Sequence, residues 1–177
     1  MAEVLLRRHL ERAGVAATVS SAGLYRGGVP ATDHGVAAMA DRGLDLAAHR
    51  SRELDRDMLQ RADLVIAMAR IHAREVAVLL PEAFPKTFTL RELARGAVAA
   101  GERGADEPFD SWLGRIADAR LPGEPFGAGH DDALDVADPV GGSRAEYEVT
   151  ADLLDRLLGE VVHLAFPAFT RAEGQRT

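Results

Sequence analysis

Ala62-Asp63-Leu64-Val65-Ile66-Ala67-Met68 is the stretch that decides the fold. The run from Leu64 to Met68 is apolar throughout, so both faces of a strand built from it would be buried, as is typical of a parallel sheet. A helical pattern follows over residues 69–80 and stops at Pro81, and another strand is predicted over residues 87–90. Strands that alternate with helices in this way predict an α/β fold.

Outward from this region the spacing of apolar residues predicts mainly helices. The last helix is the clearest, because Ser143-Arg144-Ala145-Glu146 is a capping box and an apolar stripe follows it as far as Pro167. The other predictions are helices over residues 2–13, 32–42, 54–61, 91–100 and 111–119, a strand over residues 18–22, and a loop over residues 121–137.

The chain is predicted to form one domain over residues 1–177, ordered over about residues 2–166, with a tail over residues 167–177. Three predicted strands make a thin sheet for so many helices. The helix over residues 2–13 also has no strand before it, whereas a helix of a right-handed βαβ unit follows one. The pattern therefore predicts that a strand is missing upstream.

Composition limits the classes of function. The chain has 177 residues, 47% of them hydrophobic, and a formal net charge of −7, which argues against a nucleic-acid partner. No apolar run reaches the length of a membrane span and no signal peptide is seen, so a soluble cytoplasmic protein is predicted. Zero Cys excludes disulfides, thiolate chemistry and Cys-bound metal from these residues.

Several stretches, taken in order, resemble the low-molecular-weight protein tyrosine phosphatases. No single one is decisive, but their order and spacing over about residues 1–166 make the resemblance specific. The stretches are Met1-Ala2-Glu3, Ser20-Ser21-Ala22-Gly23, Gly43-Leu44-Asp45 through His49-Arg50-Ser51-Arg52, Ala62 through Met68 with His72 after it, and Asp138-Pro139.

The resemblance implies a three-layer α/β fold, with a short parallel sheet flanked by helices and its first central strand missing. It implies hydrolysis of phosphotyrosine or small aryl phosphomonoesters through a cysteinyl-phosphate intermediate, with no cofactor or metal. Asp138 is implied as the proton donor, and Pro139 would hold it in an extended conformation. Ser21 is implied to steady the phosphate loop, and His49 and Arg52 to support the site from behind.

Plainer interpretations stand beside these roles. Asp138 could simply form an Asx-turn before the last helix, and Ser21 could be an ordinary strand residue. His49 and Arg52 could belong to an ordinary surface loop, and His72 to a helix face. The remaining histidines show no ligand-like spacing with carboxylates: His9, His34, His130 and His163. Asp131, Asp132 and Asp135 indicate a solvated acidic loop more than a metal site.

The sequence also departs from the family pattern. The family's nucleophile loop, with its Cys, five residues and Arg, has no counterpart here, so the 177-residue chain is predicted to be inactive. A start assigned at an internal Met is the neatest explanation. The wall around the substrate ring is often aromatic in the family, whereas Val140 follows Asp138-Pro139 here and Tyr25 is the aromatic residue of the loop after Gly23.

Three hypotheses follow. The first is a phosphatase whose sequence is truncated at its start. The second is an arsenate-reductase-like relative, which would need additional thiols. The third is a non-catalytic pseudo-phosphatase that binds a partner. A Cys-x-x-x-x-x-Arg segment encoded upstream of Met1 would separate the first hypothesis from the third.

Overall fold

The computed structural model describes residues 1–25, 27–120 and 132–167. Most predicted helices are confirmed with ends shifted by one or two residues, because caps, Gly and Pro set those ends locally. The α-helices are α1 (Ala2–Arg12), α2 (Asp33–Ala40), α3 (Arg56–Arg61), α4 (Arg70–Leu79), α5 (Leu90–Ala100), α6 (Phe109–Asp118) and α7 (Arg144–Ala165). Short 3₁₀ helices lie at Pro81–Lys86 and Asp132–Leu134.

Two strands, β1 (Val65–Ala67) and β2 (Thr87–Thr89), pair in parallel, with Ile66 opposite Phe88. Phe88 is fully buried, and α4 and α5 both contact the two strands. The apolar run around Ile66 therefore forms the predicted parallel strand, but only Ala67 of β1 is buried, and Val65 and Ile66 are half-buried. The α/β class with a short parallel sheet flanked by helices is confirmed.

The strand predicted over residues 18–22 is wrong. These residues form no β-ladder with any described part of the chain, and only Gly23, directly after them, makes an isolated bridge, to Glu53. A strand requires a hydrogen-bonded neighbour, and β-forming residues alone do not supply one. Instead, the Arg7 side chain on α1 donates to the Val19 carbonyl at 3.2 Å.

The chain divides into two compact units. The first unit contains Met1–Leu54 and Ala137–Gly159, and the second contains Asp55–Val136 together with the described part of Glu160–Thr177. The single domain over residues 1–177 and its ordered range stay predictions. Residues 121–131 of the predicted loop and 168–177 of the predicted tail lie outside the described residues.

In the first unit, charged side chains fix the start of α7 to α1 and α2. Arg42, just after α2, donates to the Glu148 carboxylate at 2.5 Å and also pairs with Asp152. Arg8 on α1 donates to Asp155 at 2.7 Å, and His9 lies 2.6 Å from the same oxygen. The predicted capping box is present, since the Ser143 amide donates to the Glu146 carboxylate at 2.7 Å and the Glu146 amide donates to Ser143 Oγ at 3.4 Å.

In the second unit, a buried ion pair covers the end of β2. The Glu92 side chain is 2% exposed, and Arg120 Nε donates to it at 2.6 Å. The Arg120 guanidinium also lies over the rings of Phe84 and Phe88, 4.7 and 4.4 Å from their centroids. Thr89 and Glu92 form a capping box that begins α5 directly after the strand.

Lys86 is the single lysine of the chain, and it immediately precedes β2. Its ammonium group donates to the Gln60 carbonyl at 3.3 Å and to the Ala62 carbonyl. The next residue, Thr87, is fully buried, and its hydroxyl donates to the Ala83 carbonyl at 2.7 Å. Lys86 therefore joins the end of α3 to the start of β2.

Candidate active site

Glu3 gathers two of the predicted site residues around one carboxylate. It lies in the first turn of α1, where Ser21 Oγ donates to its Oε2 at 2.5 Å. His49 Nδ1 lies 4.0 Å from the same oxygen, and Arg7, one turn further along α1, donates to Oε1 at 2.6 Å. Residues distant in sequence thus meet at the start of one helix.

The Glu3 carboxyl is held in its ionised form. Partial burial acts to raise its pKa, but the hydrogen bonds from Ser21 and Arg7 and the nearby charges of Arg7 and His49 outweigh it. The pKa of Glu3 therefore lies below its ordinary value of 4.5. As an acceptor with two oxygens, the carboxylate can hold a hydroxyl and a guanidinium at once.

Backbone hydrogen bonds hold the loop after Ser21 at both of its ends. The Gly23 amide donates to the Arg52 carbonyl at 2.8 Å, and the Gly28 amide donates to the Ser51 carbonyl at 2.8 Å. Tyr25 lies between these two points and is 89% exposed. Tyr25 therefore exposes its aromatic ring to solvent between two positions, Gly23 and Gly28, that are held by backbone hydrogen bonds.

Arg52 takes part through its backbone. Its carbonyl holds Gly23, while its side chain is exposed and makes no hydrogen bond or ion pair with a described residue. His49 and Arg52 thus belong to one segment, of which His49 faces Glu3 and Arg52 supports the neighbouring loop.

Asp138 lies in a tight turn that leads into α7. It is exposed, and its Oδ1 accepts the Val140 amide at 3.0 Å. The Pro139 carbonyl accepts the Gly142 amide at 2.9 Å, and Gly141 has a φ of +83°, which suits glycine. Asp138 therefore forms an Asx-turn, as the plainer interpretation expects, and Oδ2 of the same carboxylate has no partner among the described residues.

Sequence reasoning missed Glu3 as a member of this cluster. Its only signals were a carboxylate in the first turn of a helix and an Arg four residues later, and both are common on helix surfaces. His72 lies exposed on α4, in agreement with its interpretation as a helix-face residue. Among the described residues, no group of three or more His, Asp or Glu is arranged to hold a metal ion.

No helix within residues 1–25, 27–120 and 132–167 combines the length and apolar character that crossing a membrane requires.

Known proteins match both the sequence and the fold. Residues 1–112 match the family profile of the low molecular weight phosphotyrosine protein phosphatases. A protein-arginine-phosphatase of Bacillus subtilis is 30% identical over 162 residues, which cover 91% of this chain and 84% of that protein. A probable low molecular weight protein-tyrosine-phosphatase of Ralstonia solanacearum is 32% identical over 120 residues, which cover 67% of this chain and 75% of that protein.

A solved structure of a YwlE mutant from Bacillus subtilis matches with a TM-score of 0.66 and 28% identity, covering 91% of this chain and 85% of that one. The profile covers more than half of the chain, and the first relative spans most of both sequences. The resemblance drawn from Glu3, Ser21, His49 and Asp138 is therefore confirmed: the chain belongs to the low molecular weight phosphotyrosine protein phosphatase family.

Proposed function

We propose that this chain carries the scaffold and the general acid of a low molecular weight protein phosphatase. The reaction is hydrolysis of phosphotyrosine or of small aryl phosphomonoesters. By family resemblance, a thiolate attacks phosphorus, the phenol leaves with a proton from Asp138, and water hydrolyses the phosphocysteine. The chain has no Cys, so the 177 residues alone have no such activity.

The observation that carries the proposal is the Asp138 turn. A general acid must reach the leaving oxygen at hydrogen-bond distance while its own orientation stays fixed. The Val140 amide orients Oδ1, and Pro139 restricts Asp138 to extended backbone conformations. Oδ2, which has no partner among the described residues, is then the atom that carries the proton to the leaving group.

The Glu3 cluster supports the same function through the phosphate loop, whereas Asp138 acts on the leaving group. In the family, the phosphate loop immediately precedes the stretch that Met1-Ala2-Glu3 resembles. Glu3 fixes the hydroxyl of Ser21 and faces His49, so both polar groups are held in place next to the start of α1. We infer that they steady a phosphate loop joined to that helix.

A second candidate substrate is phosphoarginine. The relative that spans 91% of this chain is named a protein-arginine-phosphatase, and Val140 offers no aromatic ring beside Asp138-Pro139. A guanidine that leaves phosphorus needs a proton, as a phenolate does, so Asp138 would act identically on either substrate. The discriminating contacts lie around the substrate side chain, where Tyr25 is the exposed aromatic residue.

The test compares the 177-residue chain with a loop graft. The graft joins a family strand and a Cys-x-x-x-x-x-Arg-Ser-Pro loop ahead of Met1. We expect the graft to hydrolyse p-nitrophenyl phosphate, and we expect neither the 177-residue chain nor a graft with Ser in place of the loop Cys to do so. A folded but inactive graft would overturn the proposal, as would turnover by the 177-residue chain.

Within the loop graft, Asp138→Ala tests the acid. We expect it to lower turnover of phenyl phosphate by about 10²-fold or more and turnover of 2,4-dinitrophenyl phosphate far less, since an activated phenolate leaves without a proton. Asp45→Ala is the matched control, because Asp45 also accepts the amide two residues later, at 2.8 Å. An equal loss on both substrates would remove Asp138 from the role.

Substrate class is then measured directly. The loop graft is offered phosphotyrosine and phosphoarginine versions of one peptide, and kcat/KM for the two decides between the candidates. Intact-mass spectrometry of the protein made by its own cell gives its native N-terminus. A Cys and an Arg ahead of Met1 support the phosphatase, whereas a native start at Met1 supports the pseudo-phosphatase alternative.

A further inference from the structure

Tyr147 is buried against the start of α2. It lies at the end of the first turn of α7 and is 4% exposed. Its hydroxyl accepts a hydrogen bond from Thr32 Oγ1 at 2.9 Å. A Cβ on Gly35 would lie 3.1 Å from Thr32 Oγ1 and 3.5 Å from Tyr147 Cε1, so the glycine leaves room for both groups. Within the first compact unit, a buried contact therefore joins α7 to α2.

Thr32 serves two helices with one side chain. It is the N-cap of α2, where its Oγ1 accepts the Gly35 amide at 3.2 Å. A hydroxyl can accept one hydrogen bond while it donates another, so the same oxygen also donates to Tyr147. Because the cap holds Thr32 in place, the Tyr147 hydroxyl has a fixed partner.

The acid turn is attached to the same end of α7. The Tyr147 amide donates to the Ser143 carbonyl at 3.3 Å, and the Gly142 amide, directly before Ser143, donates to the Pro139 carbonyl at 2.9 Å. Pro139 in turn restricts the backbone of Asp138, the residue before it. Backbone hydrogen bonds therefore link the buried tyrosine to the turn that carries the acid.

Ion pairs reinforce this contact between α7 and α2 nearer to solvent. Arg144 pairs with Asp41, but their side chains are 48% and 57% exposed, so solvent weakens the pair. Arg42 donates to Glu148, the residue after Tyr147, at 2.5 Å. Loss of the Tyr147 hydroxyl should therefore loosen the start of α7 without detaching it.

We propose that Tyr147 is a positioning residue for the general acid. Its hydroxyl fixes the start of α7 against α2, and the acid turn at that start is fixed with it. The proposal rests on the proposed function of Asp138. The Glu3 cluster belongs to the same compact unit, so the anchor holds the acid within the unit that carries that cluster. Catalysis is sensitive to such positioning, because a displacement of about 1 Å can cost on the order of 10²-fold in rate.

The kinetic test uses Tyr147→Phe in the loop graft, which removes the hydroxyl and keeps the ring. We expect it to lower kcat on phenyl phosphate about fivefold more than on 2,4-dinitrophenyl phosphate, since only the former needs the acid. Thr87→Val is the matched control, because it removes a buried hydroxyl that donates to the Ala83 carbonyl at 2.7 Å in the second unit. The control should affect both substrates equally.

Combining Tyr147→Phe with Asp138→Ala shows whether the tyrosine acts through the acid. Once the acid is removed, we expect Tyr147→Phe to cause no further loss of turnover on phenyl phosphate. A further loss of about fivefold in the double variant would overturn the proposal and leave Asp138 as the acid. An equal loss on both substrates in Asp138→Ala alone would overturn the proposed function instead.

Another measurement needs no activity. Amide hydrogen exchange in the 177-residue chain follows the Val140 and Gly142 amides, which are the hydrogen-bond donors of the acid turn. We expect Tyr147→Phe and Thr32→Val to speed exchange of both amides by about threefold or more. Thr32→Ser, which keeps the hydroxyl, and Thr87→Val should leave both unchanged. Unchanged exchange in Tyr147→Phe overturns the proposal even where the loop graft is inactive, as does faster exchange with no leaving-group dependence in an active graft.

Discussion

Glu3 shows at the scale of one residue how charge organises the site. The ionised carboxylate holds Ser21 and Arg7, and its lowered pKa ties these contacts to stability. A group with a lowered folded-state pKa contributes stability that is fully present above the unfolded value and is lost as pH falls through the folded value. The free energy of unfolding should therefore fall at acid pH as the Glu3 contacts are lost.

The Glu3→Gln variant tests this pH dependence of the free energy of unfolding. At pH 7 we expect a loss of roughly 1 kcal/mol in the free energy of unfolding, because charge-assisted hydrogen bonds become neutral ones. As the pH falls below the ordinary Glu3 pKa of 4.5, the unmodified chain should lose stability more steeply than the variant, since Glu3 takes up a proton on unfolding. Urea unfolding across this pH range measures both effects. Glu11→Gln, exposed on the same helix, is the control, and parallel profiles for Glu3→Gln and the unmodified chain would contradict the prediction.

The sequence identified Asp138, Ser21, His49 and Arg52 because a family pattern marks those positions. It could not show that Ser21 and His49 meet at Glu3, since contact between residues 18 or more positions apart depends on the fold. The Asp138 assignment as proton donor is still a prediction. The sequence could not show the hydrogen bond between Asp135 and the Arg70 amide for the same physical reason, because the two residues lie 65 positions apart.

At the scale of elements, the predicted helices and the strands around Ile66 and Phe88 were recovered because their signals are local. Capping residues, helix-ending glycines and apolar runs act within a few residues of where they stand. The strand over residues 18–22 failed because strand formation depends on a neighbour that the local sequence does not encode. The Arg120–Glu92 ion pair could not be predicted from the local sequence either, since the two residues lie 28 positions apart.

Helices α5 and α6 pack closely against each other where Gly96 meets Ile116. A Cβ built on Gly96 would lie 2.5 Å from Ile116 Cγ2, closer than any real contact allows. We expect Gly96→Ala to destabilise the protein by about 1–2 kcal/mol, because the clash outweighs the gain in helix propensity. Gly114→Ala, on α6 with nothing within 4 Å of its Cβ, should instead stabilise it by about 0.5 kcal/mol.

Thermal or urea unfolding of the two Gly→Ala variants measures this difference. The pair isolates packing, since both substitutions add one methyl group to a helix of the same unit. Equal shifts for both variants would mean that α5 and α6 do not approach as closely as the Gly96–Ile116 contact shows.

At the scale of the whole molecule, the chain forms two compact units, and each is built from two separate stretches of sequence. Composition and periodicity predicted the α/β class but not this division, because apolar spacing shows that a face is buried and not what buries it. The family profile and the structural match support the same fold by an independent route. Family membership therefore rests on two matches, one of sequence and one of structure.

Cleavage after Lys86, the single lysine of the chain, can be used to measure local opening of the second unit at β2. A lysine-specific endoprotease has one peptide bond to cut in this chain, between Lys86 and Thr87. That bond enters β2, Thr87 is fully buried, and the Lys86 ammonium is occupied by two carbonyls, so the protease can act only after the strand detaches. The rate at which two fragments replace the intact chain then follows the opening of β2, with no label and no substitution.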